Sequence, residues 1–114
     1  MVMESAPAYS MATSVTLRGL HLAILVRKEL IPLCMVESKE VLRAGAAGLM
    51  GNKGAVSIIL NIMGQSIQFV NCHLAAHQTE SEARNETLMA ISDNIIDPDF
   101  RTEAILCGDL NYRI

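Results

Sequence analysis

Two alternating apolar runs, separated by a four-residue turn, constrain this chain more than any other feature. Across residues 55–63, Val56, Ile58, Leu60 and Ile62 occupy every second position, and Met63-Gly64-Gln65-Ser66 follows as a hairpin connection. Across residues 67–74 the period of two resumes: Ile67, Phe69, Asn71 and His73 share one face, and Gln68, Val70 and Cys72 share the other. Successive side chains on a strand point to opposite faces, so two such runs with a short connection specify an antiparallel hairpin. One face of the second strand starts apolar and ends in an amide and an imidazole.

The rest of the chain supplies cover for that hairpin. Leu20, Leu22, Ile24 and Val26 alternate with His21, Ala23 and Leu25, the pattern of a strand buried between layers. Arg27, Lys28 and Glu29 end it, and Pro32 marks a turn. Residues 34–43 form a second strand with poor alternation. Residues 44–54 read AGAAGLMGNKG, and glycine at four positions predicts a loop, because glycine weakens helix and strand alike. Thr79-Glu80-Ser81-Glu82 is a capping box that opens a helix, with Arg84, Leu88, Ile91 and Ile95 along one stripe and an end near Asp97-Pro98. Residues 103–114 read as a last strand, with Ile105, Cys107, Asp109 and Asn111 on one face and Ala104, Leu106, Gly108 and Leu110 on the other. Residues 1–14 are small, polar and patternless, a loose leader before a domain at 15–114. The predicted class is α/β (α+β), a layered sheet protein.

Composition narrows the function. A length of 114 residues holds at most one domain. With 51% apolar and 18% charged residues, the chain has neither the low hydrophobicity nor the high charge of disorder. A net charge of −3 offers no basic face for a nucleic acid held by charge alone, so no nucleic-acid partner is expected. The apolar runs are too short to span a bilayer. Cys34, Cys72 and Cys107 are odd in number and form no CxxC pair, which predicts a reducing compartment and no disulfide-linked partner. The N-terminus lacks a basic start and an apolar signal core, so a cytoplasmic location is expected.

Several familiar motifs fail. Asn52-Lys53-Gly54 lacks the Gly-Lys-Ser/Thr order of a phosphate loop and leads into a strand. His73 and His77 have HxxxH spacing, but position 74 is leucine where a zinc protease has glutamate. No serine sits in a GxSxG elbow.

Two strand ends carry chemistry instead. Asp109 can orient and deprotonate a water or help ligate a hard cation. Asn111 can hold an oxygen without adding charge; a strand-end Asp-x-Asn is also a turn former. His73 can hydrogen-bond an anionic oxygen, Arg113 can grip one in a forked geometry or form a structural salt bridge, and Gly108 permits close backbone approach.

Taken together, GNKGAV at 51–56, VNCHLAAH at 70–77 and GDLNYRI at 108–114 resemble the inositol polyphosphate 5-phosphatases of the endonuclease/exonuclease/phosphatase superfamily. The resemblance covers residues 15–114. It implies a partial four-layer β-sandwich, mostly antiparallel, with a flanking helix. It implies Mg²⁺-dependent hydrolysis of the 5-phosphate of phosphoinositides or soluble inositol polyphosphates, with peripheral contact at the cytosolic face of membranes. By the same resemblance Asp109 activates the attacking water, while Asn111 and His73 contact the scissile phosphate. Asn52, Lys53, His77, Arg84, Asn85 and Arg113 become candidate substrate contacts.

Departures from the family pattern shape the expectation for this chain. The Gln-Glu pair whose glutamate binds the metal has no counterpart before residue 54, leaving Asp109 as the remaining candidate metal ligand. The Asp-Arg and Asp-His regions that follow GDLNYR in the family are not present. The chain is therefore expected to be a central piece of the domain, poor or inert as a catalyst on its own. Two alternatives stand beside this reading. One is an inactive truncated product, and the other is a nuclease or sphingomyelinase-type phosphodiesterase on the same fold.

Overall fold

The computed structural model describes residues 8–44, 50–76, 80–96 and 102–112. Its elements run β1 (Tyr9–Leu17), β2 (Leu20–Arg27), a 3₁₀ segment (Lys28–Leu33), β3 (Cys34–Ala44), β4 (Met50–Ile62), β5 (Gln65–His73), α1 (Ser81–Asn94) and β6 (Glu103–Asp109). The two alternating runs form the β4–β5 hairpin at the centre of a four-stranded sheet of order β3-β4-β5-β6. Its turn residues Met63 and Gly64 both have positive φ, 53° and 89°, the backbone twist that suits a two-residue hairpin turn. β3 and β5 flank β4 antiparallel, whereas β6 pairs parallel with β5. A parallel neighbour needs a crossover, and α1 supplies it.

β1 and β2 form a separate antiparallel pair stacked on one face of this sheet. Val56, Ile58 and Leu60 are fully buried there against Leu17, Leu20, Ile24 and Val26. On the opposite face Ala55, Val70, Cys72 and Leu74 pack against Ile91 and Ile95 at the end of α1. Each fully buried leucine or isoleucine contributes about 1.5–3 kcal/mol. A long polar side chain in this second layer, Gln68, donates from Nε2 to Ser57 Oγ at 2.8 Å and to Ile95 O at 2.7 Å. It thereby satisfies a carbonyl at the C-terminal end of the helix. The two sheets and the helix make three layers, the mixed architecture expected from the sequence.

The structure departs from the sequence reading at five places. Residues 9–14, read as loose leader, are the first half of β1 and pair with β2; pairing overrides their weak propensity. Residues 50–54, read as loop, belong to β4, whose register reaches back to Ala44↔Met50 after an irregularity. The capping box is not used: Glu80 is the N-cap and makes no side-chain cap hydrogen bond, while Thr79 lies outside the described residues. The helix ends at Asn94 with Ile95 as its C-cap, a few residues before Asp97-Pro98. The final strand stops at Asp109, because Asn111 turns into the left-handed region at φ 55°.

Candidate active site

Three adjacent strands place Gly54, His73 and Asp109 side by side, Gly54 opposite His73 across β4–β5 and His73 opposite Asp109 across β5–β6. Lys53, one position before Gly54, reaches over this row and its Nζ lies 2.8 Å from His73 Nε2. A lysine ammonium has only donors, so in this contact Nε2 is the acceptor. Asp109 Oδ2 stands 3.7 Å from the same Nε2, too far for a hydrogen bond.

Backbone stitching fixes where the carboxylate points. Leu74 N donates to Asp109 O at 3.0 Å, extending the parallel ladder by one step. Asn111 N donates to Asp109 Oδ1 at 3.0 Å, and Asn111 Nδ2 donates to Leu74 O at 2.7 Å. Oδ1 is thus held by its own turn, and Oδ2 is the oxygen on the histidine side. Asn71, two residues before His73 on the same face, donates from Nδ2 to His21 O at 2.7 Å and ties the row to β2.

Two glycines let the strands close around His73. At Gly54, φ is +139° and a Cβ would lie 2.0 Å from Leu42 O. At Gly108, φ is +124° and a Cβ would lie 2.0 Å from Cys72 O. No L side chain fits either position without moving backbone. Gly108 is visible in the sequence as a point of close approach; Gly54 reads there only as part of a glycine-rich stretch.

Of the residues singled out in the sequence, His73, Asp109, Asn111 and Lys53 come together. Arg84 is placed differently. It is 4% exposed, with Nη1 donating to Ala75 O at 3.0 Å and Cζ 5.1 Å from the centroid of the Tyr112 ring. Asn85 is exposed and its Oδ1 accepts from Tyr112 OH. His77, Arg113 and the side chain of Asn52 lie outside the described residues. Tyr112 is the residue that sequence reasoning missed. It lies inside the GDLNYRI motif, but nothing in the sequence marks its contact with a helix residue.

Charge at the rim is mixed. Burial pushes the Cys72 thiol up to about 11, helped by Cys107 and Asp109, so this cysteine next to His73 stays protonated at neutral pH and packs as a hydrophobe. A hard divalent cation takes about six oxygen ligands. Among the described residues, no three histidine, cysteine, aspartate or glutamate side chains gather into a cation site. Asp109 supplies a single carboxylate, and one of its oxygens is already engaged. This donor set does not by itself fit a magnesium site.

What the rim can do chemically is bind and orient. Lys53 brings positive charge, His73 a polar ring and Asp109 a carboxylate oxygen to one edge, parts suited to a phosphoryl group and a water.

Comparison with known proteins agrees with this geometry. The chain is 36% identical over 117 residues to the type II inositol 1,4,5-trisphosphate 5-phosphatase of Mus musculus, covering 93% of this chain and 12% of that protein. It is 34% identical over 111 residues to synaptojanin-2 of Rattus norvegicus, covering 93% of this chain and 7% of that protein. Among solved structures it superposes with TM-score 0.76 and 28% identity on the inositol polyphosphate 5-phosphatase domain of SPsynaptojanin, solved with inositol (1,4)-bisphosphate and a calcium ion. That match covers 93% of this chain and 32% of the solved one. The chain therefore spans about a tenth of the curated relatives and a third of the solved domain. The family model for endonuclease/exonuclease/phosphatase family 2 matches residues 1–114, and to that family the chain belongs.

Proposed function

We propose that the rim of β4, β5 and β6 is the phosphate-binding part of an inositol polyphosphate 5-phosphatase. The reaction is hydrolysis of the 5-phosphate from a phosphoinositide or a soluble inositol polyphosphate, with the lipid substrates met at the cytosolic face of a membrane. The observation that carries this reading is the meeting of Lys53, His73 and Asp109 on three neighbouring strands, with Lys53 Nζ 2.8 Å and Asp109 Oδ2 3.7 Å from His73 Nε2. The similarity to 5-phosphatases and synaptojanins supports the choice of substrate class.

The roles follow from the donors each group has left. Lys53 uses one N–H on His73 and keeps two for phosphoryl oxygens. Asp109 Oδ2 is the free carboxylate oxygen and orients the attacking water. Asn111 holds the turn that aims it. Mg²⁺ is the proposed cofactor, and it would neutralise charge on the transferring group. The described residues do not complete its ligand set.

The test has two arms. Inositol (1,4)-bisphosphate added to the chain should shift the His73 imidazole resonances in an NMR titration, and Lys53→Met should weaken that response about tenfold. In a complete catalytic domain carrying these strands, Asp109→Ala should lower phosphate release at least about a hundredfold with the fold intact. Near-normal turnover in that variant sinks the assignment of Asp109. Cleavage of single-stranded DNA without inositide hydrolysis by the same domain would favour the phosphodiesterase reading.

A further inference from the structure

We propose that Arg84, Asn85 and Tyr112 form a latch that holds the strand end bearing Asp109 against the strand end bearing His73. The role assigned to the latch rests on the phosphate-site reading of that rim. The three are positioning residues rather than substrate contacts.

The observations converge on a single guanidinium. All seven residues of β6 are exposed, and among the described residues the strand pairs with β5 alone. The segment after it leaves the ladder at Leu110. Leu110 packs against the buried cluster between β5 and α1, and two further groups hold the segment there. One is Asn111, through its bond to Leu74 O. The other is Tyr112, whose ring lies 5.1 Å from Arg84 Cζ and whose hydroxyl donates to Asn85 Oδ1. Arg84 Nη1 at the same time donates to Ala75 O. Ala75 lies two residues beyond His73, and Tyr112 lies three beyond Asp109. One side chain from the first turns of α1 therefore touches both exits from the site.

Chemistry favours arginine for this task. Its planar guanidinium can present an edge to a carbonyl and a face to an aromatic ring together, which a lysine ammonium cannot. Burial strengthens both contacts, because a desolvated cation has no competing water. The geometry also makes α1 more than a crossover. Its N-terminal turns set the separation of the two strand ends, and hence of Asp109 Oδ2 and His73 Nε2.

Tyr112 is 46% exposed, so its variants should fold, and they carry the test. Amide hydrogen exchange on the chain should show the Leu74 and Asn111 amides exchanging about tenfold faster in Tyr112→Ala, with β3 and β4 unchanged. Tyr112→Phe keeps the ring over Arg84 and should fall between wild type and Tyr112→Ala. Arg84→Lys should loosen the same two amides. A role in bulk stability alone would speed exchange throughout the sheet. Uniform acceleration, or unchanged Leu74 and Asn111 amides in Tyr112→Ala, overturns the latch. A second readout separates the latch from the reading it rests on. Inorganic phosphate titrated against the His73 imidazole ¹⁵N resonances should bind at least about fivefold more weakly to Tyr112→Ala than to wild type. If wild type fails to respond to phosphate while exchange loosens only at Leu74 and Asn111, the phosphate-site reading fails and the latch stands.

Discussion

Leu60 and Leu106 are the same residue type on strands of one sheet, two strands apart. Leu60 is fully buried, whereas Leu106 is 43% exposed. β4 and β5 are covered on both faces, by β1–β2 and by α1, and they hold most of the fully buried side chains. β6 is exposed along its whole length, yet it ends in the carboxylate on which the proposed chemistry depends. Stability and reactivity therefore sit on different strands. His73 is where they meet, since it ends the buried β5 and borders the exposed β6.

The sharpest way to break this contrast is to place the same clash on both sides of His73. Gly54→Ala and Gly108→Ala each drive a Cβ to 2.0 Å from a backbone oxygen at positive φ. At Gly54 the clash falls in the covered part of the sheet. It should cost about 4 kcal/mol or more and abolish the cooperative thermal transition. At Gly108 it falls on an edge strand, so β6 should detach while the β3–β5 transition survives, seen as loss of exchange protection confined to the β5–β6 ladder and Leu74. Equal loss of folding in both variants would show that β6 is integral to the core.

Next in size are the two leucines. Leu60→Ala should cost about 3 kcal/mol in chemical denaturation. Leu106→Ala should cost less than about 0.5 kcal/mol. A smaller effect concerns the thiols. The unfolded Cys72 thiol ionises near 9.0, and the folded one near 11. Its burial therefore contributes stability that is complete below pH 9 and lost as pH rises through 11, because over that window the unfolded state releases the proton first. Alkylation at pH 8 should label exposed Cys107 and spare buried Cys72. Equal labelling would show that the β5–β6 seam opens readily.

What the sequence made legible follows the same divide. The β4–β5 hairpin was readable because period two and a Gly-containing turn are local signals, and the polar end of β5 was readable because Asn71 and His73 interrupt an apolar face. The stripe holding Arg84 was visible as well, but the Ala75 carbonyl and the Tyr112 ring that meet its guanidinium were not. β1 was hidden because Tyr9, Ser10, Thr13 and Ser14 carry little apolar signal and become a strand only by pairing with β2. Residues 50–54 were hidden because their glycines, which argue against a strand locally, are tolerated beside neighbouring backbone. The turn at Asn111 was legible as an Asp-x-Asn pattern and closes locally on Asp109 Oδ1, but it is also tied to Leu74 O, 37 positions away. No local pattern encodes such a contact.

The outer edge of β6 has a consequence for how the protein behaves in solution. Among the described residues no strand pairs with that edge. It offers extended backbone amides and carbonyls, with Ala104, Ile105, Leu106, Cys107 and Gly108 uncharged between Glu103 and Asp109. A run of this kind is a template for another extended segment, including the same strand of a second molecule. With acidic residues at both ends, an antiparallel match brings like charges together and a displaced one does not. Self-association should therefore rise with protein concentration and with salt, and a lysine at position 105 should suppress it. The strand that carries the proposed water-orienting carboxylate is then also the one that sets the concentration at which this chain stays monomeric.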